Sequence, residues 1–166
     1  MSNHGRWRVH AQGGDISWTR EILTCKVKAW DGYIYEPLWI HPSSAQDKGK
    51  KDGDIVKAYN EKGAVLCGAR VWERMMPKVS YIDHEARIDW IIPGKLDCGG
   101  AINLISPTKT VSKNCPGMAS SGYLVEVKKV SMTQMEECKK QYPEAFERGY
   151  DPCSGLRFNG WVEEGK

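Results

Sequence analysis

The sequence predicts a mainly β domain with small helices. Short stretches rich in β-branched and aromatic residues recur between turns built from Gly, Asp and Asn, as at 55–59 and 64–72. Residues 123–130 alternate apolar and polar side chains, the period of a half-buried strand. Helical spacing is clear only late in the chain, where Met135, Cys138 and Tyr142 fall on one face.

Residues 1–15 are polar and Gly-containing and read as an extended arm. Ser17-Trp18-Thr19-Arg20-Glu21 reads as a short helix whose N-cap is Asp15 or Ser17. From Tyr33 to Val130 the chain is β-rich. Glu36–Ile40 ends at His41-Pro42, and Ser43 or Ser44 is expected to cap a short helix reaching Lys48, with Gly49 just past its end. Lys51-Asp52-Gly53-Asp54 has turn chemistry, with Gly53 supplying a positive φ. Ile55–Tyr59 and Ala64–Trp72 flank the turn Asn60-Glu61-Lys62-Gly63, which predicts a hairpin. Val79–Ile82 is a further short strand after Pro77. Met132–Tyr142 is a helix capped by Ser131 or Thr133, with Glu136 and Glu137 suited to its first turn. Residues 143–166 have no clear period and are expected to wrap over the rest of the domain or a neighbouring one.

A chain of 166 residues is long enough for one domain with a single core. A net charge of +3 is too small to argue for nucleic-acid binding. No apolar run is long enough to span a membrane, and the polar N-terminus lacks the apolar stretch of a secretory signal. The six cysteines are widely and irregularly spaced with no Cys-x-x-Cys, so no metal site is expected. Free thiols in a reducing, cytoplasmic compartment are the expectation.

The segment His41-Pro42-Ser43-Ser44-Ala45-Gln46-Asp47-Lys48-Gly49-Lys50-Lys51-Asp52-Gly53-Asp54-Ile55-Val56 resembles the signature of the molybdopterin dinucleotide-binding domain. That domain closes the C-terminus of the dimethyl-sulfoxide-reductase superfamily. The resemblance continues through the Tyr59–Val65 hairpin, the loop Gly99-Gly100-Ala101-Ile102-Asn103-Leu104 and the arm His4-Gly5-Arg6-Trp7-Arg8-Val9-His10-Ala11-Gln12. It spans about residues 4–130 with its landmarks in the family's order. Residues 91–97 and the tail from Tyr142 to Trp161 look closest to the pyrogallol–phloroglucinol transhydroxylase large subunit. Ser44 stands where the family carries Asp, and Lys50 where it carries an aliphatic residue, which points to a more exposed corner. Glu85 stands where the family carries glycine.

The resemblance implies a six-stranded double-psi β-barrel over residues 1–130, arm included, and a C-terminal helix and wrapping tail over 131–166. It also implies a bis(molybdopterin guanine dinucleotide) cofactor carrying molybdenum or tungsten. The metal ligand and the substrate residues of such enzymes lie in other domains, so the chain by itself is expected to be inactive and to hold no catalytic residue. Its implied partners are the remaining domains of the catalytic subunit and an iron–sulfur subunit, with neither nucleic acid nor membrane among them.

A pyrophosphate asks for cations and free amides. Arg6, Arg8 and His10 lie at i, i+2 and i+4 and share one face if the arm is a strand, although they equally suit a solvated terminus. Gln12 joins them by resemblance. Asn103 follows two glycines that let backbone approach a ligand, and its amide both donates and accepts, as a pterin or guanine edge requires. Ser112 and Asn114 lie in a polar loop similar to the family's ligand loop, and Lys113 between them reads as a solvated lysine. His84, between Asp83 and Glu85, reads as a supporting residue rather than a proton-transfer group.

A non-enzymatic small barrel binding a nucleotide or a protein is the alternative. Other double-psi enzymes fit less well. An aspartic protease needs Asp-Thr-Gly or Asp-Ser-Gly, a self-processing decarboxylase needs Gly-Ser, and the chain contains none of them.

Overall fold

The computed structural model describes residues 26–83, 86–118, 122–147, 149–151 and 156–158. The arm with Arg6, Arg8, His10 and Gln12, the helix expected near Ser17, and His84 lie outside the described residues.

The chain is mainly β with small helices, as its sequence predicts. Strands β1 (Val27–Lys28) and β2 (Ile34–Tyr35) form a small antiparallel pair, followed by β3 (Pro37–Ile40) and helix α1 (Pro42–Gln46). Next come β4 (Ile55–Tyr59), β5 (Ala64–Val71), β6 (Ser80–Ile82), β7 (Trp90–Ile92) and β8 (Leu96–Asp97). A 3-10 helix (Ile102–Leu104) leads to the antiparallel pair β9 (Thr110–Ser112) and β10 (Cys115–Met118), then to β11 (Glu126–Lys129). Helices α2 (Met132–Gln141) and α3 (Pro143–Phe146) precede a last antiparallel pair, β12 (Gly149–Asp151) and β13 (Leu156–Phe158).

Seven strands make one mixed sheet in the order β11-β4-β5-β3-β6, with β8 beside β5 and β7 beside β8. The expected hairpin is β4–β5, in register from Ile55 opposite Gly68 to Tyr59 opposite Ala64, and Asn60 N–H donates to Gly63 O at 3.0 Å across its turn. The pairings of β5 with β3 and with β8 are both parallel, so they join segments distant in the chain. Periodicity carries no signal for such partners.

Both faces of β5 are buried. Val65, Cys67 and Ala69 pack with Leu38, Val56, Ala58 and Ile105 on one face, while Leu66 packs with Tyr35, Ile55 and Ile91 on the other. Gly68 interrupts the second face because β1 crosses there: a Cβ at Gly68 would stand 2.3 Å from Val27 Cβ. Helix α2 closes that side through Met135, with Cys138 and Tyr142 packed beside it. Ser131 caps α2 and forms a reciprocal capping box with Gln134. Glu136 and Glu137 therefore fall beyond the first turn they were expected to occupy, and α3, begun by Pro143, occupies a stretch with no readable period.

The turn motif is structural and differs in detail from expectation. His41, not a serine, caps α1, its Nδ1 accepting from Ser43 N–H at 3.1 Å. Ser44 lies inside the helix and accepts from Lys78 N–H at 2.8 Å. Gly53 has φ +84° as expected. Asp54 accepts from Lys51 N–H at 2.7 Å within its own turn, whereas Asp52 reaches across to Val71 N–H at 2.8 Å and to Arg70 at 3.2 Å. Lys50, expected at an exposed corner, is buried. The strand expected over 123–130 forms only from Glu126 to Lys129, and Lys129 turns outward to pair with Asp54 at 2.9 Å.

Candidate functional site

Of the sequence-predicted site residues, Asn103, Ser112 and Asn114 are described, and all three are exposed. Asn103 sits in the 3-10 helix after the Gly99-Gly100 loop. Ser112 ends β9, pairs with Cys115, and forms the tip of the β9–β10 hairpin with Lys113 and Asn114. Asn103 therefore stands on a separate element from the other two.

The loop that presents Asn103 is anchored on both sides. Asp97, fully buried at 0% exposure, accepts from Ala101 N–H at 2.8 Å, and its other oxygen accepts from Asp89 N–H. Burial raises the Asp97 carboxyl above the ordinary aspartate range, while the amides of Ala101, Asp89 and Gly99 oppose that shift. On the far side, Asn60 Nδ2 donates to Ile105 O at 2.7 Å and Lys62 Nζ to Ser106 O at 2.8 Å, so the β4–β5 turn grips the segment after the 3-10 helix. Ser106 Oγ donates to Ile102 O at 2.9 Å and closes the same turn from within. Held this way, Asn103 presents its amide with little ordering cost on binding.

The two glycines act differently from the sequence expectation. A Cβ at Gly99 would lie 2.0 Å from Arg87 O, and one at Gly100, where φ is +84°, would lie 2.6 Å from Glu36 Cβ. Their missing side chains make room for the protein's own backbone and for Glu36. The amides of Gly99 and Ala101 serve Asp97. What remains open to a ligand is the Asn103 side chain.

Glu36, beneath Gly100, forms a buried ion pair with Lys26. Sequence reasoning missed this pair and Asp97. An acid immediately before Cys-Gly-Gly was the available signal for Asp97; for the pair, the signal was opposite charges flanking the short β1–β2 pairing, whose register, Val27 opposite Tyr35, brings Lys26 beside Glu36. Near His84, Asp83 accepts from the Tyr81 hydroxyl. Tyr33, whose hydroxyl donates to Asp89 at 2.6 Å, is half-buried beside Cys98, and desolvation together with the nearby Cys98 and Asp89 holds its pKa well above the tyrosine range.

Cys67, Cys98 and Cys138 are free thiols, and burial pushes the Cys67 and Cys138 thiols up, away from reactivity. Among the described residues no helix is long and apolar enough to cross a membrane. Asn103 and Asn114 each expose an amide and Ser112 a hydroxyl, groups that both donate and accept hydrogen bonds.

Comparison with known proteins agrees with the loop and turn chemistry. Residues 3–118 match the family model described as "Molydopterin dinucleotide binding domain". The chain is 35% identical over 133 residues to the pyrogallol hydroxytransferase large subunit of Pelobacter acidigallici, covering 78% of this chain and 15% of that protein. It is 33% identical over 129 residues to the dimethyl sulfoxide reductase DmsA of Escherichia coli (strain K12), covering 76% and 14%. It is 33% identical over 132 residues to the dimethyl sulfoxide/trimethylamine N-oxide reductase of Cereibacter sphaeroides, covering 78% and 15%. The chain thus spans about a seventh of the length of these relatives. A family match over most of the chain, on the arm, the Asp-Gly-Asp turn, the β4–β5 hairpin and the Asn103 loop together, means that this chain belongs to the molybdopterin dinucleotide-binding domain family.

Proposed function

We propose that this chain is the C-terminal cofactor-binding part of a molybdenum or tungsten oxidoreductase and holds one portion of a bis(molybdopterin guanine dinucleotide). The observation that carries the reading is the Asn103 loop, pinned by Asp97 on one side and by Asn60 and Lys62 on the other so that a neutral amide faces outward. Asn103, Ser112 and Asn114 would meet the pterin or guanine edges. Arg6, Arg8, His10 and Gln12 would meet the pyrophosphate. When bound, the cofactor supplies the redox-active metal, and this chain's residues bind and orient it. The relatives are named as reductases and as a hydroxytransferase, and the reading assigns this chain to an enzyme of that kind, with turnover requiring the remaining domains. Those domains and an iron–sulfur subunit are the proposed partners. Three free, widely separated thiols favour a reducing cytoplasm.

The same reading makes residues 1–130 the cofactor-binding unit, a six-stranded double-psi barrel, with 131–166 as a helix and wrapping tail. The parallel pairings of β5 with β3 and β8 support such a crossed topology, and the packing of Met135 against Tyr35 and Leu66 supports a tail that wraps the domain.

Calorimetry of the chain with guanosine diphosphate and adenosine diphosphate tests this reading. Tighter binding of the guanine nucleotide is expected, weakened by Arg6→Ala and Arg8→Ala. Equal or tighter adenine binding would favour the alternative, a non-enzymatic small-barrel nucleotide- or protein-binding module.

A further inference from the structure

Two adjoining clefts, of about 340 and 530 Å³, lie between β6 and the segment 122–127. These elements carry the two ends of the sheet path, β6 and β11, so the clefts mark where the sheet's edges face each other. The smaller cleft has an aliphatic side made by Ile40, Val79, Val125 and Val127. Its polar side brings together Lys48, Lys50 and Lys78 with Ser44, Ser80 and Asp47. The bond from Lys78 N–H to Ser44 Oγ holds the Lys78 loop against α1, and Lys78, at a left-handed φ of 63°, carries an exposed side chain at the cleft.

Lys50 is the unusual member. It is 6% exposed, yet among the described residues no carboxylate pairs with its ammonium, although Asp47 lines the same cleft. Its stem is covered while its ammonium opens on the cleft. Desolvation, with the neighbouring charge of Lys48, lowers its pKa. Its backbone N–H donates to Ala45 O at 2.8 Å, which fixes the position from which the ammonium faces the cleft.

We propose that this cleft is a carboxylate site, in which Lys50, flanked by Lys48 and Lys78, receives the anionic head of a ligand whose short aliphatic body lies on Ile40, Val79, Val125 and Val127. The aliphatic wall favours a carboxylate on a hydrocarbon body over an inorganic oxyanion. Asp47 at the rim disfavours a dianion. A free short-chain acid and a glutamate side chain from another polypeptide segment share this chemistry. The proposal does not rest on the dinucleotide reading.

The 166-residue chain is titrated with butyrate, with N-acetylglutamate amide and with inorganic phosphate, and the signal of the Lys50 side chain is followed by NMR together with calorimetry. Saturable butyrate or acetylglutamate amide binding that shifts Lys50 is expected, with phosphate competing poorly. Whichever of the two acids binds tighter identifies a free acid or a protein side chain as the ligand. Lys50→Ile places an aliphatic residue where the family carries one, so the variant is expected to fold and to bind at least about tenfold more weakly. A circular dichroism spectrum and a cooperative melt verify the fold of the variant. Absence of saturable carboxylate binding, a Lys50 signal that does not move, or unchanged binding by the folded Lys50→Ile variant would overturn the proposal.

Discussion

The carboxylate of Asp97 accepts the Ala101 amide at 2.8 Å, and this bond ties a fully buried acid to the loop that carries Asn103. Three backbone amides converge on that acid while burial opposes its charge. The loop's shape thus depends on a side chain that no ligand touches.

Replacing Asp97 tests this dependence. Asp97→Asn puts an NH2 where an N–H donor already points, leaving one amide unsatisfied, so a loss of about 1–3 kcal/mol is expected in urea unfolding. The pH dependence has a definite sign. A carboxyl raised in the folded state binds protons more tightly there than when unfolded. Its contribution is therefore present at low pH and is lost as pH rises from the ordinary aspartate value, about 3.9, through the raised midpoint. The stability difference between wild type and Asp97→Asn should shrink across that window. An Asp97 carboxyl carbon that titrates by NMR at or below the ordinary value would contradict the assignment.

The glycines should tolerate no side chain. Gly100→Ala meets Glu36 Cβ at 2.6 Å and adopts φ +84°, and Gly99→Ala meets the Arg87 carbonyl at 2.0 Å. Each is expected to cost at least about 1–3 kcal/mol by denaturant titration. Gly99→Ala should cost more, because its contact is the closer of the two and is with the backbone itself.

The Lys26–Glu36 ion pair, with side chains only 10% and 8% exposed, should show strong coupling. Lys26→Met or Glu36→Gln alone removes one half of a buried ion pair and is expected to cost about 3–5 kcal/mol. The double variant should recover much of that loss. Additive single losses in a double-mutant cycle would show that the two charges are not coupled.

Asn103 and Asn60 should separate binding from support. Asn103 is exposed, so Asn103→Ala should keep stability within about 0.5 kcal/mol while weakening guanosine diphosphate binding about two- to tenfold. Asn60 donates to Ile105 O, so Asn60→Ala should lower the melting temperature. Calorimetry and thermal melts on both variants check the contrast.

Local patterns determined local outcomes. The β4–β5 hairpin, the positive φ of Gly53 and the capped helix after Ser131 were legible because turn, strand and cap chemistry act over a few residues. The Asn103 loop was legible as a motif, but the reason for its glycines was not. Their neighbours, Arg87, Asp89 and Glu36, arrive from other parts of the chain. Lys50 shows the same limit: its neighbours in sequence are polar, so it reads as a surface lysine. Its burial follows from where the chain around Ile40, Val79 and Val125 comes to lie. The sequence by itself determined the β character, the β4–β5 hairpin, the Ser131 cap and the family of this chain. Only the tertiary structure decided the parallel pairings, the burial of Lys26, Glu36 and Asp97, and the lysine-lined cleft, because burial depends on segments far apart in the chain, and strand alternation or helical period reports only on near neighbours.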